Sequence, residues 1–207
     1  MPKKINKKTN KKTSEKTSKK VTGKTGAAKA APSRTKAPKK ATPGKSAAEP
    51  AHNLTEGMAA PAFRLLRDDG GSVSLKDFAG RNLVLYFYPR ANTPGCTLEA
   101  ADFTRLAPSF EKLDTAILGV SADPQAALQR FRKKHALGID LASDETLAML
   151  KAYGVWGKKS FMGKTFDGIL RTTVLINPKG RISRIWQNVK VAGHAEAVLA
   201  AIRDPLS

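Results

Sequence analysis

Beyond Met1, the first fifty positions hold only two large apolar residues, Ile5 and Val21. A segment with nothing to bury cannot offset the entropy of ordering its backbone, so any packed core must come from the residues that follow. The same fifty positions hold 16 of the 37 Lys and Arg residues and two acids, Glu15 and Glu49, and so carry +14 of the net charge of +20. The chain therefore reads as a disordered Lys/Ala/Pro-rich basic tail over residues 1–50 and one domain over 51–207. The domain has the length of a single core.

Within the domain, strand and helix patterns alternate. Residues 63–66 and 73–75 flank Asp68-Asp69-Gly70-Gly71 and predict a hairpin. Residues 82–88 form a continuous apolar run closed by Pro89, as in a buried strand. Apolar residues then recur near a 3.6 period at Cys96, Ala100, Phe103, Leu106, Ala107 and Phe110, predicting a helix that starts at or just before Cys96. A strand at 116–120, a helix at 124–135 and a short strand at 139–141 follow. Asp144 is expected to cap a helix running to Tyr153. Residues 154–168 read as a Gly- and Lys-rich loop, followed by a strand at 172–176, a turn at 177–180, a strand at 181–186 and a helix at 195–203. The fold class is α/β: a sandwich with a central mixed sheet flanked by helices.

With one cysteine in 207 residues, there is no intramolecular disulfide and no Cys-cluster metal site, which excludes stapled secreted scaffolds and zinc modules. No apolar run reaches the roughly 20 residues a membrane helix needs, and the N-terminus lacks a secretory apolar stretch. The expectation is a cytoplasmic protein, with nucleoid or nuclear association through the tail. An organellar transit peptide is the alternative. No cofactor or metal is expected.

The segment Tyr88-Pro89-Arg90-Ala91-Asn92-Thr93-Pro94-Gly95-Cys96-Thr97-Leu98-Glu99 places the lone thiol in the first turn of a helix, where unpaired N–H groups and the helix dipole favour an anion. Thiolate is the nucleophilic form of cysteine. From Thr93 a hydroxyl can curl toward the sulfur or a bound oxygen, and Pro94 stiffens the wall. Position alone leaves a small buried structural cysteine equally open.

The surrounding residues decide between these. Thr-Pro-Gly-Cys-Thr-Leu-Glu-Ala after Phe-Tyr-Pro closely resembles the peroxidatic motif of the peroxiredoxins, in their bacterioferritin-comigratory-protein or PrxQ branch. The resemblance runs from about Leu54 to the C-terminus and includes Gly119-Val120-Ser121, Gly168-Ile169-Leu170-Arg171-Thr172-Thr173 and the turn at 188–194. It implies a thioredoxin-like fold and a thiol peroxidase reducing hydrogen peroxide or organic hydroperoxides. In that assignment Cys96 attacks the O–O bond, Thr93 orients the peroxide, and Arg171 stabilises thiolate and substrate. Pro94 and Glu99 are supporting, Glu99 by fixing Arg171; a solvent-exposed helix glutamate is the alternative for Glu99.

Many members of this branch carry a second cysteine five residues after the first. Ala101 stands there instead, which implies a one-cysteine cycle. The sulfenic acid at Cys96 is then resolved by an external thiol: thioredoxin, glutaredoxin with glutathione, or a small thiol. The branch implies a monomer.

The tail resembles linker-histone and nucleoid-protein tails in composition, which implies non-specific DNA or RNA binding by phosphate neutralisation. A solubilising extension without a partner is the alternative. A second functional class is therefore a nucleic-acid-binding protein whose thioredoxin-like domain is a redox-insensitive scaffold or holdase. His52, His135 and His194 lack metal-ligand spacing and read as surface or capping residues. Gly23-Lys24-Thr25 lacks the rest of a phosphate loop. Trp156 and Trp186 read as packing or pocket-rim residues, and Lys158, Lys159 and Lys164 as solvating a loop.

Overall fold

Alternation along one central strand divides the molecule into two layers. In β3 (Asn82–Phe87), Leu83, Leu85 and Phe87 face one side and Val84, Tyr86 and, just beyond the strand, Tyr88 face the other, all fully buried. This is the period-two pattern of a strand covered on both faces. The computed structural model describes residues 54–161 and 163–204. The basic tail, Gly23-Lys24-Thr25 and His52 lie outside the described residues.

The other elements are β1 (Arg64–Arg67), β2 (Ser72–Ser74), α1 (Pro94–Glu111), β4 (Thr115–Ser121), α2 (Gln125–His135), β5 (Asp140–Ser143), α3 (Ala148–Ala152), β6 (Trp156–Phe161), β7 (Lys164–Ile169), β8 (Thr172–Ile176), β9 (Ile182–Gln187) and α4 (His194–Arg203). Seven strands form one sheet in the order β2-β1-β5-β4-β3-β8-β9. The pairs β3/β4 and β4/β5 are parallel, as βαβ crossovers through α1 and α2 require, and the remaining pairs are antiparallel. The sheet is mixed, as its sequence pattern predicts.

Helices α1, α2 and α4 cover one face, where Phe103, Phe110, Leu128, Phe131, Val198 and Leu199 pack with Tyr86 and Tyr88. On the opposite face, Met149, Leu150 and Tyr153 pack with Leu83, Leu85 and Phe87. Gly119, paired with Tyr86 in register, is required by a close approach. A Cβ there would lie 2.5 Å from the Tyr86 hydroxyl oxygen.

Two expectations need correction. The segment 154–168 is a hairpin, β6/β7, paired from Trp156↔Ile169 to Phe161↔Lys164. Its glycines and lysines hide the strand pattern because the hairpin forms its own two-stranded sheet with a mostly exposed β7. The helix ending near Tyr153 is shorter than expected, because Leu147 adopts a left-handed conformation (φ 61°) and delays its start to Ala148. Asp144 serves that helix from outside it, with Oδ2 accepting the Leu150 N–H at 2.9 Å.

Candidate active site

Cys96 is the third residue of α1, whose first residue is Pro94 and whose N-cap is Thr93 in extended conformation. Proline suits that first position because its missing N–H would have no intrahelical partner there. The loop leaving β3 thus delivers the thiol to the helix start against the Tyr86/Tyr88 layer, and Cys96 is 1% exposed.

Arg171 comes from the short connection between β7 and β8. Its backbone is fixed on both sides, by Leu170 N–H donating to Val155 O at 2.7 Å and by Val189 N–H donating to Arg171 O at 3.1 Å. The guanidinium forks: Nη2 donates to Cys96 Sγ at 3.2 Å, and Nη1 donates to Glu99 Oε2 in a tight ion pair. Gly95 lies against the guanidinium, where a Cβ would sit 3.5 Å from Nη2, in ordinary van der Waals contact. A sequence separation of 75 residues is closed in one contact.

Glu99 is 1% exposed, so the exposed-glutamate alternative is excluded. Burial pushes its carboxyl up to about 7, with Arg171 pulling in the opposite direction. One oxygen explains the sensitivity: among the described residues, neither Glu99 Oε1 nor the buried Tyr86 hydroxyl has a hydrogen-bond partner. A carboxylate with an unsatisfied buried oxygen favours its neutral form. Burial also disfavours charge on Arg171, but Glu99 and Cys96 beside it outweigh that and raise its pKa. Tyr86 is likewise pushed up by burial and stays neutral.

Three site expectations change in detail. The Thr93 hydroxyl does not curl toward the sulfur; it donates to Arg90 O at 2.9 Å, a partner only the folded loop supplies. His194 is no surface residue: it opens α4 at 6% exposure with Nε2 2.8 Å from Thr173 Oγ1, and burial followed by the Arg171 charge pushes it down to about 4. Lys159 does not simply solvate a loop, because its ammonium donates to Ile169 O at 2.8 Å. Strand alternation in residues 156–161 could have suggested a fixed side chain there, had the hairpin been recognised.

His135 stays at the surface with Nε2 3.2 Å from Asn92 Oδ1. Trp156 packs half-buried on the core, and Trp186 lies edge-on to His194 at 6.0 Å. Pro94 is exposed. Among the described residues, no group of three or more His, Cys, Asp or Glu is placed to hold a metal ion, and no helix is long and apolar enough to cross a membrane.

Residues 57–185 match the AhpC/TSA family. The chain belongs to that family. Among related peroxiredoxins, Peroxiredoxin Bcp of Escherichia coli K12 is 40% identical over 151 residues, covering 73% of this chain and 97% of the relative. Peroxiredoxin Bcp of Bacillus subtilis is 42% identical over 148 residues, covering 72% and 94%. Among solved structures, the bacterioferritin comigratory protein of Xanthomonas campestris, described for its alkyl peroxide reduction activity, superposes with a TM-score of 0.66 at 41% identity, covering 70% of this chain and 92% of that one. A Xylella fastidiosa PrxQ mutant gives a TM-score of 0.71 at 34% identity, covering 75% and 99%. The fold of this peroxiredoxin is therefore thioredoxin-like, as the resemblance implied.

Proposed function

We propose that the protein is a thiol-dependent peroxidase in which Cys96 reduces a hydroperoxide. The observation that carries the reading is the Arg171 guanidinium donating to the buried Cys96 Sγ at 3.2 Å at a helix start. A sulfur lone pair of the thiolate attacks the terminal peroxide oxygen and the O–O bond breaks. The departing alkoxide or hydroxide takes a proton from solvent, and Cys96 becomes a sulfenic acid. Arg171 keeps its charge throughout, and its planar donors can serve sulfur and developing oxyanion together. Because the Thr93 hydrogen is committed to Arg90 O, its oxygen offers lone pairs to the peroxide O–H. Glu99 orients the guanidinium, and Pro94 walls the mouth without competing as a donor.

The sequence holds one cysteine, so the reductant is an external thiol. It attacks the sulfenic sulfur, water leaves, and a second thiol releases reduced Cys96 from the mixed disulfide. The alkyl peroxide reduction of the Xanthomonas relative supports organic hydroperoxides as substrates alongside hydrogen peroxide. The other reading, a redox-insensitive scaffold on a nucleic-acid-binding protein, gives the Arg171–Cys96 contact no purpose. The test is peroxide treatment with a dimedone-type sulfenic-acid probe: rapid labelling at Cys96, and loss of turnover in a folded Cys96→Ser variant, are expected. Retained turnover in that variant would overturn the mechanism.

Residues 1–50 form a separate unit in this reading, a polycation of net charge +14 that neutralises nucleic-acid phosphates. Mobility shifts with the full chain and with residues 51–207 test it. Salt-sensitive DNA retention by the full chain alone is expected, and equal retention by both overturns it.

A further inference from the structure

At the end of the sheet where β3 begins, away from the Cys96 end, the surface opens into a cleft of about 260 Å³ between the 3-10 helix Leu75–Phe78 and the β8–β9 turn. Beneath it lie Leu83 and Ile176, which pair in register and are fully buried. Its walls are apolar: Leu75 and Phe78 pack half-buried on the same core, and Ala79 and Pro178 are exposed. Backbone hydrogen bonds fix both walls. Gly80 N–H donates to Pro178 O at 3.1 Å, joining one wall to the other, and the chain turns there at a φ of 88° that favours glycine. Asn177 Oδ1 accepts the N–H groups of Lys179 and Arg181, each at 3.0 Å, which sets the turn and occupies that acceptor.

The rim is cationic. Lys76 and Lys179 stand on opposite walls and Arg81 completes the lining, which contains no Asp or Glu. Asp77, next to Lys76, is turned to Ser74, whose N–H and hydroxyl donate to Asp77 Oδ2 at 2.7 and 3.0 Å. Among the described residues, neither the Lys76 nor the Lys179 ammonium has an ion-pair partner. Arg81 is partly engaged, with Nη2 donating to Glu111 Oε2 at 3.0 Å. Its Nε lies 3.6 Å from Asp114 Oδ1 and, though buried, has no hydrogen-bond partner among the described residues. Buried donors are seldom left so, and an acceptor beside Arg81 is what this one lacks. Two neighbouring cavities that share Phe78 differ in carrying acids, Glu111 and Asp140 in one and Asp77 and Asp140 in the other.

We propose that this cleft binds a small anionic amphiphile, an aliphatic carboxylate whose chain lies along Leu75, Phe78 and Pro178 and whose head group meets Lys76, Lys179 and Arg81. Charge complementarity chooses the occupant. A cation is repelled by the rim, a neutral chain leaves the rim unused, and an anion without a chain leaves the apolar walls in water. A carboxylate on a chain of several carbons satisfies both parts of the cleft, the combination of apolar walls and a few convergent polar groups that marks small-molecule sites. The site is separate from the thiol. β3 alone spans about 17 Å between the two ends of the sheet, and the proposal does not depend on the chemistry at Cys96.

The test is titration of the full-length protein with sodium octanoate, followed by backbone amide chemical shifts. Octanoate is expected to move the amides of Ala79, Gly80, Lys179 and Gly180 saturably, while acetate and octyltrimethylammonium at the same concentrations leave them in place. The double variant Lys76→Glu/Lys179→Glu should weaken octanoate binding about tenfold, and Lys76→Arg/Lys179→Arg should retain it. Lys133→Glu/Lys134→Glu changes the net charge equally at exposed positions of α2 and should bind as the unsubstituted protein does. Amides distant from each substitution report that the fold is intact. The absence of saturable shifts at the cleft amides overturns the proposal, as do shifts confined to residues 1–50, equal binding of octyltrimethylammonium, and undiminished affinity in the Lys76/Lys179 charge reversal. An equal loss in the α2 variant overturns it too, since the basic chain as a whole would then suffice.

Discussion

Glu99 and His194 are two buried groups whose proton affinities are displaced in opposite directions beside the same arginine. Burial raises the Glu99 carboxyl from 4.5 to about 7, and burial followed by the Arg171 charge lowers His194 from 6.5 to about 4. Between pH 4.5 and about 7 the unfolded chain has lost the Glu99 proton that the native state keeps, so this group makes stability fall as pH rises. Between about 4 and 6.5 the unfolded chain binds a His194 proton that the native state refuses, so this group makes stability rise with pH. Each displacement corresponds to about 3 kcal/mol across its window, and over the shared span the two slopes cancel. Single substitutions expose them. Glu99→Gln should gain about 3 kcal/mol relative to the original profile as pH rises from about 4 to 7, and His194→Gln should lose about as much. Both substitutions also shift absolute stability, the first by loosening Arg171 and the second by losing the Thr173 contact, so the slope is the quantity to read. Urea unfolding midpoints at a series of pH values supply it. Profiles of both variants running parallel to that of the unsubstituted protein would refute the assignment of these shifts.

Arg171→Lys should slow Cys96 oxidation by peroxide about tenfold or more, because an ammonium cannot serve both Glu99 and the sulfur and losing one charge-assisted hydrogen bond costs about 1.5 kcal/mol or more. An unchanged single-turnover rate would remove Arg171 from the reaction. Ala101→Cys should form an internal disulfide after one equivalent of peroxide, read as a loss of two hydrogens by intact mass. Ala101 is exposed whereas Cys96 is buried, and five residues of helix separate them by about 7.5 Å of rise, beyond the roughly 7 Å that a disulfide spans. Pairing therefore requires the first turn of α1 to unwind, and that turn has no side-chain cap from Thr93. Persistent sulfenic acid in this variant would show that the turn stays wound.

Much of the architecture was legible because local pattern and burial agree there. The apolar run of β3 and the 3.6 period after Cys96 name their own elements, and their observed bounds, Asn82–Phe87 and Pro94–Glu111, follow closely. The β6/β7 hairpin was not legible, since a small sheet with an exposed strand carries no continuous apolar run. The early start expected for α3 failed on one backbone angle, at Leu147, which no residue type in that segment announces.

The site divides in the same way. By itself the sequence determined that one thiol sits in the first turn of a helix, that no second cysteine can resolve it, and that the positive charge is concentrated in residues 1–50, because these depend on composition and on neighbours within one turn. Only the tertiary structure decided which charges meet that thiol. Arg171 reaches Cys96 across 75 residues through the β7–β8 connection, and Glu99 is buried beneath it. The physical reason is that ionisation depends on distance and desolvation, and these are fixed when strands pair and helices pack, not by residue order along the chain.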